Sequence, residues 1–150
     1  MSGRVPKERM DYSDFTDAVD SLVDTLPHDY QGVVSINRGG LPLGVELSHS
    51  LQLPHGLVSA HSYDNHEQSD LTWHGTLLDP MPEGAKVLLV DDIVDTGETM
   101  KAADAMVAEA GLEVETAALH VKPGRSFHPN FYVTETPNWV VYPWEVESEP

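Results

Sequence analysis

The residues with the most chemical potential lie in one run, Val87-Leu88-Leu89-Val90-Asp91-Asp92-Ile93-Val94-Asp95-Thr96-Gly97-Glu98-Thr99. Val87 to Val90 reads as a buried strand that delivers two adjacent carboxylates to a sheet edge. Asp95, Thr96 and Gly97 then form a turn that opens a helix. Glycine lets the backbone approach a ligand closely, and a helix N-terminus offers N–H groups and positive dipole. Thr96 and Thr99 add hydroxyls. This arrangement suits a phosphate monoester, with Asp91 and Asp92 available for ribose hydroxyls or magnesium. An acidic turn can also do no more than cap a helix, but the complete strand, carboxylate pair, turn and helix favour phosphate. The glycine patterns of dinucleotide folds and P-loops are absent from this strand.

Three further segments carry candidate chemistry. Arg38-Gly39-Gly40 follows the apolar run Val33 to Ile36 and reads as a turn with an approachable backbone. Ser62-Tyr63-Asp64 opens a polar stretch running to Gly75, which reads as an exposed loop. His61, His66 and His74 lie in or beside it; without a helical His-x-x-x-His pair they read as solvated loop residues rather than metal ligands. Val121-Lys122-Pro123-Gly124-Arg125 closes the last core strand, and Asn138-Trp139-Val140-Val141-Tyr142-Pro143-Trp144 follows.

The elements that must position these segments alternate. Phe15, Val19, Leu22, Val23 and Leu26 form one helical stripe over Ser13 to Leu26, with Ser13 as the expected N-cap. Val33 to Ile36 is a strand, and Leu41 to Leu51 a helix with Pro42 in its first turn. Leu57 to Tyr63 alternates as a strand, and Lys86 to Val90 is another. A helix runs from the Gly97 turn to Ala110 with Gly111 as its stop, and Thr116 to Val121 is the last strand. Lys122 to Pro150, rich in proline and aromatics, reads as an irregular cap. The expected fold is therefore α/β, a parallel twisted sheet flanked by helices. One domain spans 1–150, with its core over about 13–122 and a small irregular C-terminal hood over about 123–150. In such sheets ligands bind beyond the C-terminal strand ends. All four chemical segments fall on that one edge.

Asp and Glu number 25 against 8 Lys and Arg, for a formal net charge of -17. The excess is spread along the chain, with Asp14, Asp17, Asp20 and Asp24 on one helix face. With 40% apolar residues in periodic blocks, disorder is disfavoured. An acidic surface working in high salt, hence a halophilic setting, is the expectation. Nucleic-acid binding is disfavoured because no basic patch exists to neutralise phosphates. No apolar run approaches a membrane span and Met1 to Met10 carries no signal-type hydrophobic region, so neither membrane insertion nor export is expected. Cysteine is absent, and a cytoplasmic protein is the default.

The run from Asp91 to Thr99 resembles the phosphoribosyl pyrophosphate (PRPP) signature of type I phosphoribosyltransferases, two acidic residues followed by Asp-Thr-Gly-x-Thr. By motif order, residues 31–145 resemble the xanthine-guanine branch. The resemblance implies that Asp91 and Asp92 hold ribose hydroxyls and magnesium, and that Asp95, Thr96, Gly97, Glu98 and Thr99 wrap the 5-phosphate. It implies that Arg38, Gly39 and Gly40 form the pyrophosphate loop, often with a non-proline cis peptide. Ser62 and Tyr63 would begin a mobile catalytic loop that keeps water from the ribose. Lys122 would read the base O6, Trp139 would stack on the ring, and the backbone near Val140 would accept base N–H groups. Asp95 would take or share a proton at the purine N7. The implied partners are PRPP, a purine base, the nucleotide product and pyrophosphate, with Mg2+ as cofactor and a homo-oligomer (dimer or tetramer) as the assembly. That branch carries a glutamate after its Trp-Ile pair where this chain has Val141, so guanine, xanthine and hypoxanthine stay unranked. A PRPP- or nucleotide-sensing regulator on the same fold and a receiver-type signalling domain are the competing readings. In the second, Asp95 to Thr99 and Trp139 have no role.

Overall fold

The computed structural model describes residues 5–64, 69–124 and 127–145. In chain order its elements are β1 (Lys7–Arg9), α1 (Tyr12–Thr25), β2 (Gly32–Asn37), α2 (Leu41–Leu51), β3 (His55–Asp64) and β4 (Ser69–Leu77). There follow β5 (Lys86–Val94), α3 (Glu98–Glu109), β6 (Glu113–Val121), β7 (Phe131–Glu135) and β8 (Trp139–Val141). Six strands form one sheet in the order β4-β3-β2-β5-β6-β7, and β1 pairs with β8 in a separate two-stranded sheet. Among the described residues only the β3–β4 pair is antiparallel. A mostly parallel α/β sheet flanked by helices is thus the architecture, as expected.

The core has two layers because β5 and its neighbours bury both faces. Leu88 and Val90 pack with Phe15, Leu22, Leu43 and Leu47 of α1 and α2. Val87 and Leu89 pack with Met100, Ala103 and Val107 of α3. Each fully buried aliphatic side chain contributes roughly 1.5–3 kcal/mol, so the strand that carries the acidic pair is firmly anchored. Asp14, Asp17, Asp20 and Asp24 all face solvent on α1, which is where unpaired charge costs least. No helix among the described residues is long and apolar enough to cross a membrane.

Four local expectations are corrected. Asp11, not Ser13, caps α1: its carboxylate accepts the Asp14 N–H at 2.7 Å, and the Asp14 carboxylate accepts the Asp11 N–H at 3.1 Å. That reciprocal pair satisfies two orphan donors, and a serine two residues further in cannot compete. The polar stretch after Tyr63 is largely strand. Ser62 and Tyr63 belong to β3, opposite Leu71 and Asp70 of β4. The alternation of Leu71, Trp73 and Leu77 is a strand period diluted by polar neighbours, and backbone pairing needs no apolar partner on both faces. His66 and the hairpin connection lie outside the described residues.

The hood is irregular only in part, since it holds two short strands. β7 extends the main sheet parallel to β6, held by the Asn130 side chain, which accepts from the Thr116 N–H at 2.8 Å. β8 pairs with β1, a strand absent from the sequence reading because three residues, KER, have no apolar period. Finally, β5 continues to Val94, so Asp91 and Asp92 sit within the strand and half-buried instead of exposed at its tip. Ile93 and Val94 pair with His120 and Val121, and this ladder carries the strand past the acids.

Candidate active site

Asp91 and Asp92 lie deep in the molecule yet keep partial solvent contact through adjoining recesses. Asp92 lines a cavity of about 580 Å³ together with Arg38, Gly39, Trp144 and Glu145. Asp91 lines a smaller recess of about 100 Å³ with Asp95, Thr96, Gly97 and Thr99. Two neighbouring carboxylates therefore serve two compartments, joined at one strand. The Asp92 N–H donates to Asp91 Oδ1 at 2.8 Å, and the Ile93 N–H donates to Asp92 Oδ1 at 2.7 Å. Burial, and then the charge of Asp92, pushes the Asp91 carboxyl well above the usual carboxylate range. Burial raises Asp92 as well, against hydrogen bonds that favour its ionised form. Such a pair is starved of positive charge.

The smaller recess is built by the turn into α3. Gly97 is the N-cap of the helix at φ 92°, a left-handed conformation that side chains rarely tolerate. A Cβ there would also meet the Phe127 side chain at 2.5 Å. Thr96 Oγ1 accepts the Glu98 N–H at 3.2 Å, so Thr96 does cap the helix locally. Asp95, Thr96 and Glu98 are exposed and Thr99 is half-buried. Helix-end N–H groups, threonine hydroxyls and positive dipole converge on a recess sized for a phosphate group.

The larger cavity is bounded by the turn after β2. The peptide joining Asn37 to Arg38, at the entry to the Arg38-Gly39-Gly40 turn, is cis. Arg38 is exposed at the rim. Gly39 presses on the acidic pair: a Cβ there would stand 2.7 Å from Asp92 Oδ2. Gly40 is the N-cap of α2. Asn37 donates through Nδ2 to Ser59 Oγ at 2.8 Å, while its buried Oδ1 has no hydrogen-bond partner.

Lys122 follows β6, and its N–H donates to the Val94 carbonyl at 3.0 Å, which sets it beside Asp95 at the same sheet edge. Its ammonium donates to the carbonyls of Asn138 at 2.7 Å and Pro137 at 3.4 Å. Trp139, next in the chain, is 64% exposed, an aromatic face left uncovered. Val140 turns its side chain into the core, so only its backbone can serve a ligand. Ser62 and Tyr63 take strand positions, and no loop role follows from their placement.

Two contributors were missed in the sequence. Trp144 stacks on Tyr142 with centroids 5.0 Å apart and meets Phe15 edge-on at 5.1 Å. It nevertheless also walls the larger cavity. Glu145 lines it too, its carboxylate accepting the Tyr142 N–H at 2.9 Å. Only the Trp-Glu pair closing the aromatic run could have pointed to them.

Magnesium fits the donor set. Among the described residues no group of three or more His, Asp or Glu gathers into a protein-made cage. Mg2+ commonly uses one or two carboxylates and completes its shell with waters and substrate phosphate oxygens. Asp91 and Asp92 supply hard oxygens of that kind, and their raised pKa values are what a nearby cation would reverse.

Comparison with known proteins agrees with this geometry. A protein named xanthine-guanine phosphoribosyltransferase from Chromohalobacter salexigens is 32% identical over 124 residues, 81% of this chain and 72% of the relative. A purine phosphoribosyltransferase structure from Pyrococcus horikoshii superposes with a TM-score of 0.85 at 27% identity, covering 96% of this chain and 97% of the other. A xanthine-guanine-hypoxanthine phosphoribosyltransferase from Helicobacter pylori, at 24% identity and a TM-score of 0.83 over 93% and 94% of the two chains, shares the fold. The phosphoribosyl transferase domain model matches residues 16–150, and with the acidic strand and its turn in place across that match, the chain belongs to this family.

Proposed function

We propose that this protein transfers the phosphoribosyl group of PRPP to a 6-oxopurine, giving a nucleoside 5'-monophosphate and pyrophosphate. The observation that carries the reading is convergence. The phosphate recess under Gly97, the Asp91–Asp92 pair, the Arg38-Gly39 rim and the Lys122–Trp139 corner share one sheet edge. Each of these regions suits one part of PRPP or of the base.

In the reaction the bond from ribose C1 to pyrophosphate oxygen breaks and a bond from C1 to purine nitrogen forms. Positive charge grows on the sugar and negative charge on the leaving group. Arg38 and the Gly39 backbone receive the pyrophosphate end, and the Thr96–Thr99 turn fixes the 5-phosphate. Asp91 and Asp92 hold the ribose hydroxyls and favour the cationic sugar. When bound there through Asp91 or Asp92, Mg2+ neutralises the pyrophosphate charge. Asp95, beside Lys122, takes or shares the purine N7 proton. Lys122 donates to O6, and Trp139 offers its ring for stacking. A fold shared with non-catalytic binders would be equally satisfied by PRPP binding without turnover, so turnover decides.

The test is a screen of guanine, xanthine, hypoxanthine and adenine with PRPP and Mg2+ in molar KCl, following nucleotide and pyrophosphate together. Nucleotide formation from at least one oxopurine is expected. PRPP binding with no nucleotide from any base would mark a sensor, and comparable turnover of adenine would remove the role given to Lys122.

A further inference from the structure

A buried polar chain links the hood to the acidic strand, and the chemistry described above does not use it. Glu8, in the middle of β1, accepts from Thr136 Oγ1 at 2.8 Å and from Asn138 Nδ2 at 3.0 Å. Its other oxygen lies 4.0 Å from His120 Nε2. His120 is only 4% exposed, and its Nδ1 stands 2.9 Å from the Tyr142 hydroxyl. Tyr142, 2% exposed, reaches the main-chain carbonyl of Asp92 at 3.1 Å.

Counting protons orders the chain. A carbonyl only accepts, so the single phenolic proton goes to Asp92. The phenol oxygen must then accept from His120, which carries hydrogen on Nδ1. The far end is equally constrained. The Asp92 carbonyl and the Ile93 N–H belong to one peptide plane, and that N–H holds Asp92's own carboxylate at 2.7 Å. Whatever fixes this plane fixes the carboxylate.

We propose that Tyr142 is a positioning residue for Asp92: its hydroxyl, oriented by His120, locks the peptide plane that aims the Asp92 carboxylate into the larger cavity. This inference rests on the PRPP-site reading given above.

The test is Tyr142→Phe, which keeps the ring and its stack on Trp144. Thermal melting, kcat, KM for each substrate and calorimetric binding of Mg-PRPP are measured beside the unmodified protein. Loss of roughly tenfold in PRPP affinity and in kcat/KM for PRPP is expected, with KM for the base nearly unchanged and the melting temperature lowered by a few degrees for the buried donor and acceptor left unpaired. His120→Asn, which keeps a donor near the Nδ1 position, is expected to retain more PRPP affinity than His120→Leu. If Tyr142→Phe binds and turns over PRPP like the unmodified protein, the proposal is wrong. If base and PRPP constants fall together with the melting temperature, Tyr142 is hood packing only, which also overturns it. Should Tyr142→Phe not fold, equal PRPP affinity in the two His120 variants has the same consequence. Unmodified protein that binds Mg-PRPP without turnover would refute the catalytic reading, yet the calorimetric comparison still decides the role of Tyr142. Failure to bind PRPP at all refutes both.

Discussion

The corner from β5 into α3 and the hood over it are built on opposite principles. In the corner, strand, acids, turn and helix follow one another without a break, and Gly97 enforces the turn by its own backbone conformation. The hood is assembled from distant pieces: β1 near the N-terminus, His120 and Lys122 at the end of β6, and Thr136 to Tyr142. Its polar contacts cross long stretches of chain, as in the Thr136–Glu8 bond. A phosphate-binding corner needs little beyond local geometry, because phosphate is read by N–H groups and a dipole. A base needs one donor, one ring face and one carbonyl placed from different elements, so the hood depends on tertiary closure.

The largest expected effect lies in the corner. Asp91→Asn should lower turnover by on the order of a hundredfold or more, because in the proposed mechanism this carboxylate holds a ribose hydroxyl or the metal. Burial and Asp92 already penalise the Asp91 carboxylate in the folded state. Its raised folded pKa means the ionised group subtracts stability once pH exceeds its unfolded value. The unliganded variant should therefore melt no lower than the parent near neutral pH, and the gap should narrow in acid. Reduced melting temperature with full specific activity would reverse the picture of a locally built catalytic corner.

Lys122→Ala should come next, raising KM for an oxopurine by roughly ten- to a hundredfold while leaving PRPP affinity near the parent value. An equal loss for both substrates would mean that the ammonium's bonds to Asn138 and Pro137 matter more than its contact with the base. Trp139→Ala should weaken every accepted purine alike, by about tenfold for a lost stacking face. The fold should be unaffected, since the ring is largely exposed. Selective loss of one purine would show that the ring reads substituents.

Two stability measurements finish the comparison. Raising KCl from about 0.1 M to about 3 M shortens the Debye length several-fold, and with a net charge of -17 the melting temperature should rise. Equal melting in both would end the inference of a salt-adapted surface. The smallest effect concerns Glu8, whose carboxyl is held low by bonds from Thr136 and Asn138. A lowered folded pKa stabilises above the unfolded value and is lost as pH falls through the folded one. Glu8→Gln should therefore melt a few degrees below the parent at neutral pH and converge with it in acid. A pH-independent difference would assign Glu8 a purely steric part in the hood.

The sequence by itself determined the corner, the alternating fold and the acidic surface. Each is written in contiguous residues: the Asp91–Thr99 run, the Leu41–Leu51 helix recovered at both ends, and aspartates spaced along one face of α1. Local periodicity and backbone chemistry suffice for these because the interactions that select them act within a few residues. Tertiary structure alone decided the rest. Ladder pairing with β6 carried β5 past its acids and buried them. Pairing with β8 made a strand of Lys7–Arg9, and pairing with β3 made one of Ser69–Leu77. Hydrogen bonds to distant chain also brought His120 and Tyr142 to Asp92. A strand's partner, unlike a helix's, lies elsewhere in the chain, and a hydrogen-bonded side chain leaves no period behind.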